Sequence, residues 1–234
     1  MIRNKVREQR HKSNVSNYFF SSRVSPHITE FLIKRGVSAN QTTLIFFCCG
    51  ILGAIFSFFH SFFYVLLAYF FFRLHIVLDL CDGEISRYTE KKSINGSYWD
   101  LMAHSVVYPL YFFGFNYSLY EFYNNEIFLI HGALLSLLSL LRLSVRNNYH
   151  RALFDFGESK ENRKHNSNEI HHTSIFKRLQ ILTTGYEGYL SLFLVLTIVG
   201  NEKFFLYVNL IYIVIFLVAF FVKFLTFSFG KKFI

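Results

Sequence analysis

Aspartate is the scarcest charged residue in this 234-residue chain, with four copies at Asp79, Asp82, Asp100 and Asp155. Proline occurs twice, tryptophan once and cysteine three times. Cys48, Cys49 and Cys81 are odd in number, lie in or beside apolar segments and lack metal-type spacing. They read as small buried hydrophobes, which excludes a disulfide framework and a cysteine zinc site. The N-terminal MIRNKVREQRHKSN has no apolar core, which argues against a cleaved signal peptide. There is no internal repeat and no low-complexity tract.

Apolar residues are abundant: 53% of the chain is hydrophobic, and 31 residues are Phe. Stretches such as 42-TTLIFFCCGILGAIFSFFH-60 and 204-FFLYVNLIYIVIFLVAFFVKFLTFSF-229 approach or exceed the ~20 residues that cross a bilayer. The expected fold class is therefore all-α, a polytopic membrane protein. Hydropathy places six spans near 42–60, 62–82, 99–122, 127–145, 180–200 and 204–229, separated by short polar breaks at His60-Ser61, Asn124–Glu126 and Asn201–Lys203. Two regions follow: a basic N-terminal segment, 1–41, and a six-helix membrane domain, 42–230, with a polar loop at 146–179.

Of the 24 Lys and Arg residues, eight lie in 1–41, three in 83–98, seven in 146–179 and three at the C-terminal end. Six spans put all four regions on one side, and the positive-inside rule makes that side cytoplasmic. The expected location is the bacterial cytoplasmic membrane, with both termini and the acidic site inside. The net charge of +9 then reads as orientation plus attraction to anionic lipid headgroups. Nucleic acid is not an expected partner, because the basic residues are dispersed over several membrane-adjacent segments. Before the first span, 25-SPHITEFLIKRG-36 reads as a short helix capped by Ser25, with Pro26 in its first turn and Gly36 at its end. Ile28, Phe31 and Leu32 give it an apolar face suited to the membrane interface.

Three of the four aspartates fall within 79-DLCDGEISRYTEKKSINGSYWDLMAH-104. Asp79 and Asp82 are three residues apart and Asp100 and His104 four apart, so each pair shares a helix face. A turn containing Gly83 and Gly96 would bring the pairs together. Converging carboxylates repel, and an all-oxygen site suits Mg²⁺, Mn²⁺ or Ca²⁺. Arg87, Lys91 and Lys92 could hold a diphosphate, Arg87 as a bidentate fork, while the two glycines would let the backbone approach a ligand. The structural alternative is that these residues cap two helices and snorkel at the interface. Ionisable residues in spans are costly and usually functional, which favours the site.

The pattern Asp79-x-x-Asp82-Gly83-x-x-Ser86-Arg87, eight residues, then Gly96-x-x-x-Asp100-x-x-x-His104 resembles the signature of the CDP-alcohol phosphotransferases, D-x-x-D-G-x-x-A-R followed by G-x-x-x-D-x-x-x-D. Six of eight positions match; Ser86 replaces Ala and His104 replaces the fourth Asp. The segment 38-SANQTTL-44 is similar to the P-N-x-x-T that opens the family's first span, with Ala39 in place of Pro. The resemblance implies that Asp79, Asp82 and Asp100 ligate one or two divalent ions, Mg²⁺ or Mn²⁺. It implies that Gly83, Ser86, Arg87 and Gly96 line the cytidine diphosphate pocket, closed by Asn40 and Thr43. The implied reaction is transfer of a phospho-alcohol group from a CDP-linked donor, CDP-diacylglycerol or a soluble CDP-alcohol, to an acceptor hydroxyl with release of CMP. The implied setting is phospholipid or related phosphodiester synthesis, and a homodimer is compatible with it.

His104 stands where the family has its proposed general base. Imidazole suits proton abstraction near neutrality, and it can also ligate a metal, though it is a poorer partner for Mg²⁺ than carboxylate is. Two readings stay open: an enzyme with a histidine base, or a degenerate nucleotide- or lipid-binding membrane protein. A transporter would instead place ionisable residues along a mid-bilayer pathway, for which Glu187 alone is available. Arg142 and Arg146, four apart at the end of the fourth span, could grip a phosphate on the acceptor or simply snorkel. Glu187 could bond an acceptor hydroxyl or a neighbouring helix. The tandem His171 and His172 read as solvated loop residues.

Overall fold

The computed structural model describes residues 2–12, 21–91, 93–155 and 186–229. They form eight helices: α1 Ile2–Lys12, α2 Ser21–Lys34, α3 Ala39–Phe56, α4 Phe62–Thr89, α5 Ile94–Tyr123, α6 Ile127–Asp155, α7 Tyr186–Val199 and α8 Glu202–Phe229. There is no strand among the described residues. Helices α3, α4, α6 and α8 are long and apolar enough to cross a membrane, and α7 carries a shorter apolar stretch, Gly188–Val199. The all-helical, polytopic membrane class expected from the sequence is thus present. Helix α5 has 30 residues, ample length for a bilayer, but Asn, Ser, His and Asp side chains make it more polar than those four. It occupies the middle of the bundle, where Val107, Tyr111, Phe112, Phe115 and Leu119 are buried in the main core with residues of α4, α6, α7 and α8.

Several boundaries differ from the sequence reading. Helix α2 starts at Ser21, four residues before the expected cap, and keeps Pro26 inside it. Ser25 is buried and spends its hydroxyl on another helix, as described below, so it does not act as a cap. Gly36 does end the helix region, at φ +71°, a conformation that favours glycine. The turn expected around Gly83 and Gly96 does not exist: Gly83 lies within α4 and Gly96 in the first turn of α5. The chain reverses instead after Glu90, in the left-handed region at φ +58°, and α5 starts at Ser93, whose hydroxyl caps Gly96 N–H at 2.9 Å. The polar stretch beginning at residue 146 continues α6 as helix through Asp155. Residues 156–185, including His171 and His172, lie outside the described residues.

One end of the bundle gathers the short breaks. Asn125 donates to Glu202 at 2.7 Å, and the His60 ring packs on Phe122 and Phe205. The other end carries α1 and α2. Val6 of α1 is buried, Lys5 lies over the Tyr88 ring, and Arg3 pairs with Glu30 at 3.1 Å and donates to His27 at 3.1 Å. Between the ends, Asn116, Tyr189 and Asn209 close a buried ring of hydrogen bonds across α5, α7 and α8. Asn116 Nδ2 donates to the Tyr189 hydroxyl (2.9 Å), which donates to Asn209 Oδ1 (2.9 Å), and Asn209 Nδ2 returns to Asn116 Oδ1 (2.6 Å). Such polar links substitute for the hydrophobic force that is lacking between helices in lipid.

The link between α1 and α2 is sensitive to pH. The Lys34 ammonium, 3.0 Å away, and the Arg3 guanidinium hold the Glu30 carboxyl below its ordinary value of 4.5. A depressed folded value stabilises the contact above the unfolded value and loses that support as pH falls through the folded one. A spin label at Arg7, on the exposed side of α1, should become more mobile as pH falls below the ordinary glutamate value of 4.5. Mobility that does not change on acidification below that value would contradict the role given to Glu30.

Candidate functional site

The site is assembled where the last turns of α4 meet the first turns of α3 and α5. Helix α3 begins in a capping box: the Ser38 hydroxyl accepts from Gln41 N–H, and Gln41 Oε1 accepts from Ser38 N–H at 2.9 Å. This pairing satisfies two donors at the helix start and sets Asn40 and Thr43 on the face toward α4 and α5. Thr43 Oγ1 donates to Asp82 Oδ2 at 2.7 Å. Asn40 Oδ1 accepts from Ser93 Oγ at 2.9 Å. A Cβ on Gly96 would sit 2.5 Å from Asn40 Oδ1, so the bare Gly96 backbone is what lets α5 approach α3 here.

A cavity of about 300 Å³ opens at this junction, lined by Ala39, Asn40, Thr43, Asp82, Gly83, Ser86, Arg87, Lys91, Ser93, Gly96, Ser97 and Asp100. Every residue that the resemblance assigns to the cytidine diphosphate pocket is on that wall. Ser86 Oγ donates to Lys91 O at 2.8 Å, holding the end of α4 to the turn that follows it. Lys92 lies outside the described residues.

Of the acidic set, Asp79, Asp100 and His104 come together, with one ligand atom from each inside a 4.8 Å span. His104 Nε2 lies 3.2 Å from Asp100 Oδ1 and 3.5 Å from Asp79 Oδ1. Asp82, one turn beyond Asp79, faces the cavity and Thr43 and is not part of this group. The Asp100 Oδ1 atom is buried and makes no hydrogen bond among the described residues, its contact with Nε2 lacking hydrogen-bond geometry. Neighbouring ligands of an ion bound at ~2.1 Å lie roughly 3 Å apart, close to the spacing found here. The Asp79 and Asp100 oxygens therefore suit a single divalent cation, with His104 Nε2 placed either as a third ligand or as a free base beside it.

The His104 ring is held by stacking on Tyr108 (centroids 5.2 Å apart, planes 9° apart) and more loosely on Phe46 (6.1 Å). Its edge meets His75, one helical turn before Asp79, at 5.7 Å. His75 is wholly buried and escapes a search for clustered acids, because it sits in an apolar run and resembles a core histidine. Glu84 also went unmarked in the sequence reading. It is 2% exposed and accepts from Ser25 Oγ at 2.9 Å and Thr29 Oγ1 at 2.6 Å, which ties α2 to the motif segment of α4. The signal was available: Ser25 and Thr29 are four apart, one polar stripe on a helix read only for its apolar face.

Arg142 and Arg146 are not on the cavity wall. Arg142 packs over the Phe216 ring at 4.5 Å, and the charges of both arginines act on Lys223 of α8. The side chain of Glu187 lies outside the described residues.

Fold and geometry define a class: an all-helical integral membrane protein with a candidate cation site opening on a polar cavity. The profile of the CDP-alcohol phosphatidyltransferase family matches residues 37–164, more than half of the chain and spanning α3 to α6. The chain belongs to the CDP-alcohol phosphatidyltransferase family. Members transfer a phospho-alcohol from a CDP-alcohol and depend on a divalent metal. No curated protein matches the chain.

The close helix contact beneath the site has a measurable cost. A Cβ on Gly50 would lie 2.6 Å from Val107 Cγ2 and 2.8 Å from His75 Nδ1. Val107 is stiff at χ1 and His75 is tethered, so neither yields easily. Overpacking costs about 1–3 kcal/mol, against about 1 kcal/mol of helix propensity gained. Gly50→Ala should therefore lower the melting temperature, with a net loss of up to about 2 kcal/mol. An unchanged or raised melting temperature in detergent would show that α3 can move away from α4 and α5 freely.

Proposed function

We propose that this protein transfers a phospho-alcohol group from a CDP-linked donor to an acceptor hydroxyl, releasing CMP, at the end of the bundle that carries α1 and α2. The observation that carries this reading is the convergence of Asp79, Asp100 and His104 at the edge of a polar cavity whose wall holds Arg87 and Lys91. Asp79, Asp82 and Asp100 would hold one or two divalent ions, Mg²⁺ or Mn²⁺. When bound, such an ion neutralises the donor's diphosphate and makes CMP a better leaving group.

The chain's own groups do the rest. Arg87 grips the diphosphate as a planar fork and Lys91 adds a point charge. Gly83 and Gly96 leave room for the backbone to approach the nucleotide, and Asn40, Thr43 and Ser86 offer polar contacts around it. The acceptor oxygen attacks the phosphorus on the alcohol side of the diphosphate, the bond from that phosphorus to the bridging oxygen breaks, and CMP leaves. The acceptor's proton passes to His104 Nε2, where Asp79 and Asp100 stabilise the resulting imidazolium. Proximity within a water-poor helix junction supplies much of the remaining rate.

Trp99, Leu101 and Met102 flank Asp100 and are exposed on α5, which supports a lipid-linked donor, acceptor or product. Arg142 and Arg146, joined by Lys223, form a cationic group suited to a phosphate on the acceptor. The excess of Lys and Arg at the motif end supports a cytoplasmic site. Helices α5 and α7 complete six spans in this arrangement, within a membrane domain of residues 42–230 behind the basic segment 1–41.

Purified protein with Mn²⁺ or Mg²⁺ should release CMP from at least one member of a panel of CDP-alcohols when the acceptor is present, and chelation should abolish release. His104→Ala should lower turnover by about 10²–10⁴-fold while CDP still binds, and Asp79→Ala should lose both. Near-normal CMP release by His104→Ala would overturn the base assignment. Silence from every donor, with CDP binding intact, would favour a binding protein over an enzyme.

A further inference from the structure

His75 is the buried group that the proposed reaction does not use. Its Nδ1 lies 2.9 Å from the main-chain oxygen of Phe46. A carbonyl only accepts, so this nitrogen carries the hydrogen, and Nε2 of a neutral His75 is left with a lone pair. That Nε2 is buried and has no hydrogen-bond partner among the described residues; the same is true of His104 Nδ1. The two rings meet nearly edge to face, with centroids 5.7 Å apart and planes at 83°. One ring contact thus contains two buried imidazole nitrogens that lack partners.

Their roles are complementary. His104 Nε2 faces the two carboxylates. Whether that nitrogen accepts a proton or ligates a cation, it must present a lone pair, and a neutral imidazole then carries its hydrogen on Nδ1. The buried acceptor without a partner in the neighbouring ring is His75 Nε2. Two imidazoles joined by a direct N–H···N bond have centroids about 5 Å apart, near the separation found here, so turning the rings until the two nitrogens face each other closes the link. A buried polar group without a partner costs about 1–3 kcal/mol, which drives this closure.

We propose that His75 is a positioning residue for His104: it accepts the His104 Nδ1 hydrogen, fixes the tautomer and so turns the Nε2 lone pair toward the Asp79–Asp100 group. The chain runs from Phe46 O through His75 to His104, anchoring the reactive nitrogen to the backbone of α3. A partner that sets the tautomer of a catalytic or metal-bound histidine is a recurrent device. The close approach of α3 that Gly50 permits is what brings the Phe46 carbonyl within reach. This inference rests on the enzymatic reading above only for its kinetic arm.

The test is ¹⁵N NMR of histidine-labelled, Mg²⁺-loaded protein, with His104→Gln assigning the resonances. Wild-type protein should show His104 with hydrogen on Nδ1, and His75→Phe should shift His104 toward the other tautomer. The same variant should lower kcat about 10–100-fold with little change in the KM for the donor. His75→Gln, whose amide offers one donor and one acceptor, should recover most of the loss. A wild-type His104 Nδ1 without hydrogen overturns the proposal, whatever the fold of the His75 variants. So does a His75→Phe protein with unchanged tautomer and kcat. If wild-type protein releases no CMP from any donor, the enzymatic reading fails while the tautomer measurement still decides the role of His75.

Discussion

Two carboxylates, Asp79 and Asp100, are held around one imidazole nitrogen at the end of a helix pair otherwise packed from apolar side chains. Like charges this close in a poorly solvated junction repel strongly, and the repulsion has to be offset by positive charge. Much of the surrounding architecture serves that requirement. Helix α3 supplies hydroxyl and amide partners for Asp82 and Ser93, α4 supplies Arg87, and the turn after Glu90 supplies Lys91. In the proposed reaction a divalent cation bound with the donor's diphosphate would complete the balance.

His104 brings an imidazole, and no negative charge, to the position where the signature that the chain resembles ends in a fourth aspartate. The structure accommodates the larger ring by stacking it on Tyr108 and Phe46 and by setting His75 against its edge. The ring is thus packed on several sides. Helix α2 is tied in the same way: Ser25 and Thr29 satisfy the buried Glu84 between Asp82 and Arg87. A helix expected to lie on the membrane surface is therefore also a brace for the motif.

The all-helical membrane class was legible because apolar runs of bilayer length have few other physical explanations. The motif residues were legible because scarce charges concentrated at one place are costly. The position of the turn was misread, since glycine within a helix and glycine in a turn look alike in one dimension; here Gly96 serves close packing, Gly83 lies beside the Arg87 guanidinium, and the left-handed residue is Glu90. The start of α2 was misread because Ser25 and Pro26 form a good capping pattern, whereas burial against Glu84 decides where that hydroxyl goes. His75, Glu84 and the Asn116–Tyr189–Asn209 ring were hidden for a common reason. Each is a polar group whose meaning lies in a partner dozens of residues away.

The central claim is that the α3–α4–α5 junction binds a cytidine diphosphate together with a divalent cation. Equilibrium binding of CDP to the purified protein in detergent, with and without Mn²⁺, tests it most directly. Saturable binding that requires the cation and is lost in Asp79→Asn is the result this account predicts. Binding that is equally tight after chelation, or that survives in Asp79→Asn, would contradict it.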